Sequence, residues 1–271
     1  MYGKRNNLLE QKYGLNLLFA YLRKNRKTFE HSISFTVYRF YTPFRLFIFA
    51  LIIICTNLET MTMDTLEKLT AEKLLSIKAV KLQPSNPFTW ASGWKSPIYC
   101  DNRKLISYPH IRTFIKIELS RLIIENFPDV DAIAGVATGA ISTGALVADA
   151  LGLPFVYIRA TPKDHGLENL IEGELKPGSK VVVVEDLVST GNSSLKAVGA
   201  IRKDGSEVIG MVANFTYGFP IATSKFEEAG VKLITLTNYD AILAEALRIQ
   251  YIAEDDLETL QEWRKSPADW E

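Results

Sequence analysis

Apolar positions fall into a regular helical spacing only after residue 63. Leu66, Leu69, Leu74 and Ile77 lie on one face of a helix expected from Thr65 to Lys78, with Asp64 as its cap. Leu82 to Arg103 breaks that period with three prolines, a glycine and several aromatics, and reads as the short strands and turns of a small hood, about residues 80–104. From Ser107 onward the pattern alternates. It predicts a helix through Ile124, strand Ala132–Ala137, helix Ser142–Leu151 and strand Phe155–Arg159, then a polar loop. Strand Lys180–Val184, helix Ser193–Lys203, strand Glu207–Phe215, helix Ile221–Ala229, strand Val231–Leu236 and helix Tyr239–Arg248 follow. Near-continuous Val/Ile strands separated by helices imply an α/β fold, a central parallel sheet flanked by helices on both faces. Ligands of such sheets bind beyond the carboxyl ends of the strands, which directs attention to the loops at 137–142, 160–170 and 185–193.

Residues 1–45 have no comparable period; they are basic and rich in Asn, Tyr and Phe. Leu46 to Cys55 is an uninterrupted apolar run, but a membrane-spanning helix needs about 17–25 such residues. A signal peptide would have a shorter basic flank and a small-x-small cleavage site. Met63 then opens the first periodic helix. Residues 1–62 are therefore expected to be an extension outside the native fold, which starts at Met63; an anchor or targeting segment is the alternative.

Composition changes little except through charge. The 271 residues are 47% hydrophobic and 23% charged, ordinary for one large or two small domains. Residues 1–62 carry nine Lys/Arg against three Asp/Glu, so the zero net charge of the chain leaves residues 63–271 at −6. That balance argues against nucleic acid as a partner, and no membrane association is expected of residues 63–271. Cys55 and Cys100 can build no disulfide framework or metal cluster, so a reducing, cytoplasmic compartment is the expectation.

The most informative stretch is Val181-Val-Val-Val-Glu-Asp-Leu-Val-Ser-Thr-Gly-Asn-Ser193. A buried strand ends in two carboxylates, Glu185 and Asp186, and a turn of hydroxyl residues leads into a helix. Gly191 permits the tight backbone that lets several N–H groups converge on one anion at a helix N-terminus. Two acids would repel that anion, but they can accept hydrogen bonds from vicinal sugar hydroxyls. The combination describes a sugar phosphate. Ordinary turn and N-cap chemistry is the plainer alternative for a bare Ser-Thr-Gly.

The whole thirteen-residue pattern resembles the phosphoribosyl-pyrophosphate signature of the type I phosphoribosyltransferases. Ser92-Gly-Trp-Lys-Ser-Pro-Ile-Tyr99, Gly135-Val-Ala-Thr-Gly139 and Arg159-Ala-Thr-Pro-Lys-Asp-His-Gly166 narrow the resemblance to the orotate phosphoribosyltransferases, from about Met63 to the C-terminus. The resemblance implies a type I phosphoribosyltransferase fold. It implies transfer of the 5-phosphoribosyl group from 5-phosphoribosyl 1-pyrophosphate to orotate, giving orotidine 5′-monophosphate and pyrophosphate in pyrimidine synthesis. Mg²⁺ is the implied cofactor, held by substrate with no direct protein ligand, and the implied assembly is a homodimer with shared active sites. Lys163, His165 and Asp186 are the implied catalytic residues. Arg159, Lys163, His165 and the run Glu185, Asp186, Leu187, Val188, Ser189, Thr190, Gly191, Asn192 and Ser193 would bind the pyrophosphate sugar. Thr138 and Gly139 would approach its pyrophosphate. Ser189, Tyr99, Lys95 and Arg103 would meet orotate; alternatively Tyr99 is hood core, and Lys95 and Arg103 hold the hood together.

Arg159, Lys163 and His165 would together suit a leaving pyrophosphate. Some relatives have lysines where this chain has Ala160 and Ala91, and an arginine where it reads Phe215-Thr-Tyr217. Two rival readings are a phosphoribosyltransferase for another base and a regulator that senses the pyrophosphate sugar. A nucleic-acid-binding regulator should show a basic face and a degraded catalytic loop, whereas residues 63–271 are acidic and keep Lys163 and His165.

Overall fold

The computed structural model describes residues 65–90, 93–161 and 170–270. The chain divides into two units, Met1–Thr60 and Met61–Glu271, and the second is the one described below. The expectations for residues 1–62, and for Asp64 as a cap, lie outside the described residues.

Helix α1 covers 65–76 and buries Leu66, Leu74 and Leu75. It stops two residues short of the expected end because Lys78 adopts a left-handed φ of 54°. Lys104 Nζ covers the freed carbonyls of Ile77 and Lys78 at 3.2 and 3.1 Å. The hood follows as two antiparallel pairs, β1 (Val80–Leu82) with β4 (Ile98–Cys100) and β2 (Phe88–Thr89) with β3 (Lys95–Ser96). A 3₁₀ segment, Asn102–Ser107, leads into α2 (Pro109–Asn126), where Pro109 takes the first turn, the position that tolerates a missing N–H.

The remaining elements are β5 (Ala132–Val136), α3 (Ile141–Leu151), β6 (Phe155–Ile158), β7 (Ile171–Glu172), β8 (Lys180–Val188), α4 (Asn192–Lys203), β9 (Glu207–Thr216), α5 (Pro220–Glu228), β10 (Leu233–Asn238), α6 (Tyr239–Arg248) and α7 (Glu254–Lys265). The six strands order as β10-β9-β8-β5-β6-β7. All neighbours are parallel except β7, which pairs antiparallel with β6 at the edge. The expected central parallel sheet is present, and the unanticipated edge strand β7, two residues long, is too short to carry a period. Val181, Val182, Val183 and Val184 are all fully buried because both faces of their strand are covered. Val182, Val184 and Val212 pack on one face with Leu119, Tyr239 and Trp263; Val181, Val183 and Met211 pack on the other with Ala197, Ile201 and Phe226.

β8 runs four residues beyond its expected end. Its pairing with β5 finishes at Val184, opposite Gly135, but β9 continues alongside it as far as Val188, opposite Thr216. The acidic pair is therefore inside a strand that has lost one neighbour. Helix α7 lacked a prediction altogether. Its acidic first turn (Glu254, Asp255, Asp256) and basic last turn (Arg264, Lys265) suit the helix dipole, and Asp256 accepts from Ala253 N–H at 2.9 Å.

Candidate active site

The chain leaves β5 toward β6 on one side and returns to β8, β9 and β10 on the other, so the sheet switches direction between β5 and β8. Loops that leave such neighbours diverge and open a crevice at the strands' carboxyl ends. Two of the three loops singled out from the sequence, 137–142 and 185–193, flank that crevice directly, with residues 137–140 and 189–191 lying outside helix and strand. The third leaves β6. Its stems are closed by the β6–β7 pair and by Arg159 N–H donating to Leu170 O at 2.8 Å.

Asp186 is held from three directions. Its main-chain oxygen accepts from Asn102 Nδ2 at 2.6 Å, which ties the end of the hood to the acidic turn. Its N–H donates to Glu185 Oε1 at 3.0 Å. Its carboxyl lies where a side chain on Gly139 would begin, so only glycine lets the two loops approach this closely. The Ala137–Thr138 peptide beside that contact is cis, and Thr138 is exposed. Burial raises the Asp186 pKa, while its hydrogen bonds with Glu185 and backbone N–H groups oppose the rise.

Glu185 touches Asp186 but is the more deeply buried of the two. It is 3% exposed, and Ser194 Oγ donates to its Oε2 at 2.9 Å. Burial and the neighbouring Asp186 charge push its carboxyl well above the usual range. The two acids, equivalent by sequence, thus differ: Asp186 is half-buried against Gly139, and Glu185 is buried and braces the first turn of α4.

The turn after β8 has the expected form. Gly191 adopts φ 79°, and Asn192 and Ser193 open α4 in exposed positions, with Ser189 and Thr190 half-buried before them. A Cβ on Gly191 would also stand 3.1 Å from the Phe226 ring, so α5 backs the turn closely. Leu187 is half-buried. Val188 is fully buried, and its carbonyl accepts from Tyr217 N–H at 3.1 Å as part of the β8–β9 pairing.

The other predicted site residues are more dispersed. Tyr99 is 37% exposed and packs on Phe88 with ring centroids 5.5 Å apart. Arg103 pairs with Asp101 at 2.6 Å and is also acted on by Tyr99 and Asp186, which brings these hood residues toward the acidic turn. Lys95 turns its amine to Thr89 Oγ1 at 2.9 Å, a bond within the hood. Arg159 meets Glu172 on β7 at 3.4 Å. Lys163 and His165 lie outside the described residues.

Several neighbours of the site were not anticipated. Asn102 and Ser194 carry no motif, and only the fold sets them against the acids. Lys225, on α5, donates to Asn192 Oδ1 at 2.6 Å, and Lys196 donates to Ala160 O at 2.7 Å. Tyr217 is buried between Trp90, Phe219 and Trp263, and burial drives its pKa well up. Among the described residues no group of three or more His, Cys, Asp or Glu side chains could hold a metal ion.

A family profile described as phosphoribosyl transferase domain matches residues 110–241. Over 209 residues, 77% of this chain and 99% of the relative, the sequence is 72% identical to the orotate phosphoribosyltransferase of Bacteroides fragilis. Among solved structures, the orotate phosphoribosyltransferase of Aeropyrum pernix superposes with a TM-score of 0.59 at 26% identity, covering 68% of this chain and 99% of that one. The UMP synthase of Leishmania donovani superposes with a TM-score of 0.63 at 25% identity, covering 73% of this chain; the match spans only 42% of that longer protein.

Proposed function

This chain belongs to the orotate phosphoribosyltransferase family of pentosyltransferases, and from that premise we propose that the crevice between β5 and β8 transfers the 5-phosphoribosyl group of 5-phosphoribosyl 1-pyrophosphate to orotate. The products are orotidine 5′-monophosphate and pyrophosphate, in the synthesis of pyrimidine nucleotides. One observation carries the reading: the Asp186 carboxyl stands against Gly139, and the anion-binding turn begins three residues farther along the chain. The turn takes the 5′-phosphate on the backbone N–H groups of Thr190 to Ser193, with hydroxyls from Ser189, Thr190 and Ser193. Asp186 accepts from ribose hydroxyls, with Glu185 behind it. The loop at Thr138 and Gly139 meets the pyrophosphate. Ser189, Tyr99, Lys95 and Arg103 surround orotate, whose carboxylate the cations complement.

The protein positions and neutralises rather than attacking. A pyrimidine nitrogen displaces pyrophosphate at the anomeric carbon with inversion, and charge builds on the leaving oxygens as the bond opens. Arg159, Lys163 and His165 meet that charge. Mg²⁺ favours substrate phosphates, one or two carboxylates and retained waters over an all-protein cage. Asp186, half-buried beside Gly139, is the carboxylate that would stand nearest such a substrate-borne ion. The ion's contribution is to neutralise the leaving group.

The same proposal includes a homodimer in which the 160–170 loop serves the partner's site, a cytoplasmic location, and a catalytic unit of residues 63–271. The last is supported by a match to 99% of the relative's length over 209 of the 271 residues here. Among the described residues no helix is long and apolar enough to cross a membrane. Turnover of the full chain with the pyrophosphate sugar and Mg²⁺, followed by absorbance with orotate, uracil and adenine in parallel, tests the activity. Orotate should be consumed at least a hundredfold faster than either alternative; preference for another base overturns the assignment. Deleting residues 1–62 should leave turnover intact, and loss of activity would bring the extension into the fold.

A further inference from the structure

The turn that takes the 5′-phosphate has no cation of its own. Between Glu185 and Ser193 the chain carries two acids and no base. A helix N-terminus supplies roughly half a positive charge, which a doubly charged phosphate beside Asp186 exceeds. α5 is packed against this turn: Phe226 and Ala222 lie within 3.1 and 3.9 Å of where a Gly191 side chain would start. Lys225 precedes Phe226, and its Nζ reaches Asn192 Oδ1 at 2.6 Å, at the first residue of α4.

We propose that Lys225 is a phosphate-binding residue, supplying from α5 the charge that the turn lacks. This rests on the reading of the turn as the 5′-phosphate cradle. Lys225 is half-buried, so part of its stem is already ordered by packing, and Asn192 fixes the amine beside the anion rather than leaving it free in solvent. The phosphate is remote from the anomeric carbon and does not change charge during transfer. A cation there therefore binds ground state and transition state alike, and its loss should appear in KM rather than kcat.

The test uses the full chain and three substitutions. Lys225→Ala removes both the charge and the hydrogen bond, Lys225→Gln keeps a donor for Asn192 without the charge, and Lys225→Arg keeps the charge. Steady-state kinetics are measured for the pyrophosphate sugar and for orotate, and ribose 5-phosphate is used as a competitive probe. Lys225→Ala and Lys225→Gln should each raise KM for the pyrophosphate sugar and the inhibition constant of ribose 5-phosphate about tenfold. Their kcat and orotate KM should stay close to wild type, and Lys225→Arg should recover most of the loss. The penalty should shrink as salt rises, since an exposed charge is screened.

If Lys225→Gln behaves as wild type, the amine only props Asn192 and the proposal falls. It falls equally if kcat drops while KM holds, or if all three variants lose affinity with their unfolding midpoints. Wild-type protein that neither turns over orotate nor is inhibited by ribose 5-phosphate would overturn the cradle itself, a different failure from an inert Lys225 in an active enzyme.

Discussion

Glu185 and Asp186 are neighbours on one strand, and their environments assign them different work. Glu185 is buried with its carboxyl pKa raised, chiefly by burial and next by Asp186. A carboxyl whose folded pKa lies above its unfolded value, about 4.3 for Glu, costs no stability while both states are protonated. The cost appears as pH rises from the unfolded value through the folded one, because the unfolded chain ionises more readily. Glu185→Gln removes that cost while keeping an acceptor for Ser194. The gain in melting temperature over wild type should therefore be larger at pH 8 than at pH 5, each kcal/mol appearing as about 2–4 °C in a domain of this size. An equal gain at both pH values would mean that Glu185 does not titrate differently on folding. At Gly139 the constraint is steric. Gly139→Ala would push the Asp186 carboxyl out of place, and a displacement of that order costs about 10²-fold in rate. Steady-state assays should find that loss with the fold retained; full activity would mean that the loops do not touch in the working enzyme. Asp186→Asn, which keeps the size and removes the charge, should weaken turnover without unfolding the protein.

At the level of elements, α7 helps to hold the hood on the sheet. Trp263 is fully buried and edge-on to Trp90 of the hood, with centroids 5.6 Å apart, and its Nε1–H donates to Lys95 O at 3.1 Å. Tyr239 Oη donates to Leu260 O at 2.8 Å from α6, so the same helix is anchored to the core. Trp263→Ala should cost about 3–5 kcal/mol in denaturant unfolding, the usual loss for a buried Trp. Trp263→Phe, which keeps most of the packing and loses the bond, should cost less than half of that. Because the bond ends on the strand that carries Lys95, both variants should also raise the KM for orotate more than that for the pyrophosphate sugar. A change in stability with both KM values untouched would separate the hood's attachment from its function. The phosphate turn is similarly built by two elements, since α5 packs on Gly191 while α4 offers its N-terminus.

For the whole molecule, the proposed sharing of active sites makes a test that single chains cannot mimic. Lys163→Ala should lower kcat by about 10²–10³, the cost of removing a preorganised charged donor, with a much smaller change in KM. Mixed with Asp186→Asn protein, it should regain activity, because one site of the mixed dimer combines an intact loop with an intact turn. Failure after verified subunit exchange would assign each loop to its own chain's site. Much of this architecture was legible from local pattern. Val/Ile runs alternating with helical stripes predicted all five parallel strands and the helices between them, because burial on both faces imposes a continuous apolar run along each strand. The turn from Glu185 to Ser193 was legible for the same reason: its chemistry is contained in consecutive residues. What the chain could not display locally were contacts between distant segments. The four extra residues of β8 depend on β9 running beside them, and β7 and the polar α7 depend on what they pack against. Gly139 has meaning only opposite Asp186, Asn102 only through the acidic turn 84 residues away, and Lys225 only because α5 packs on Gly191. Sequence determined which chemistry the crevice could hold, since motif and period are properties of neighbouring residues. Tertiary structure alone decided which acid is buried against Ser194 and which lies against Gly139, because burial and hydrogen bonding are properties of position in the fold.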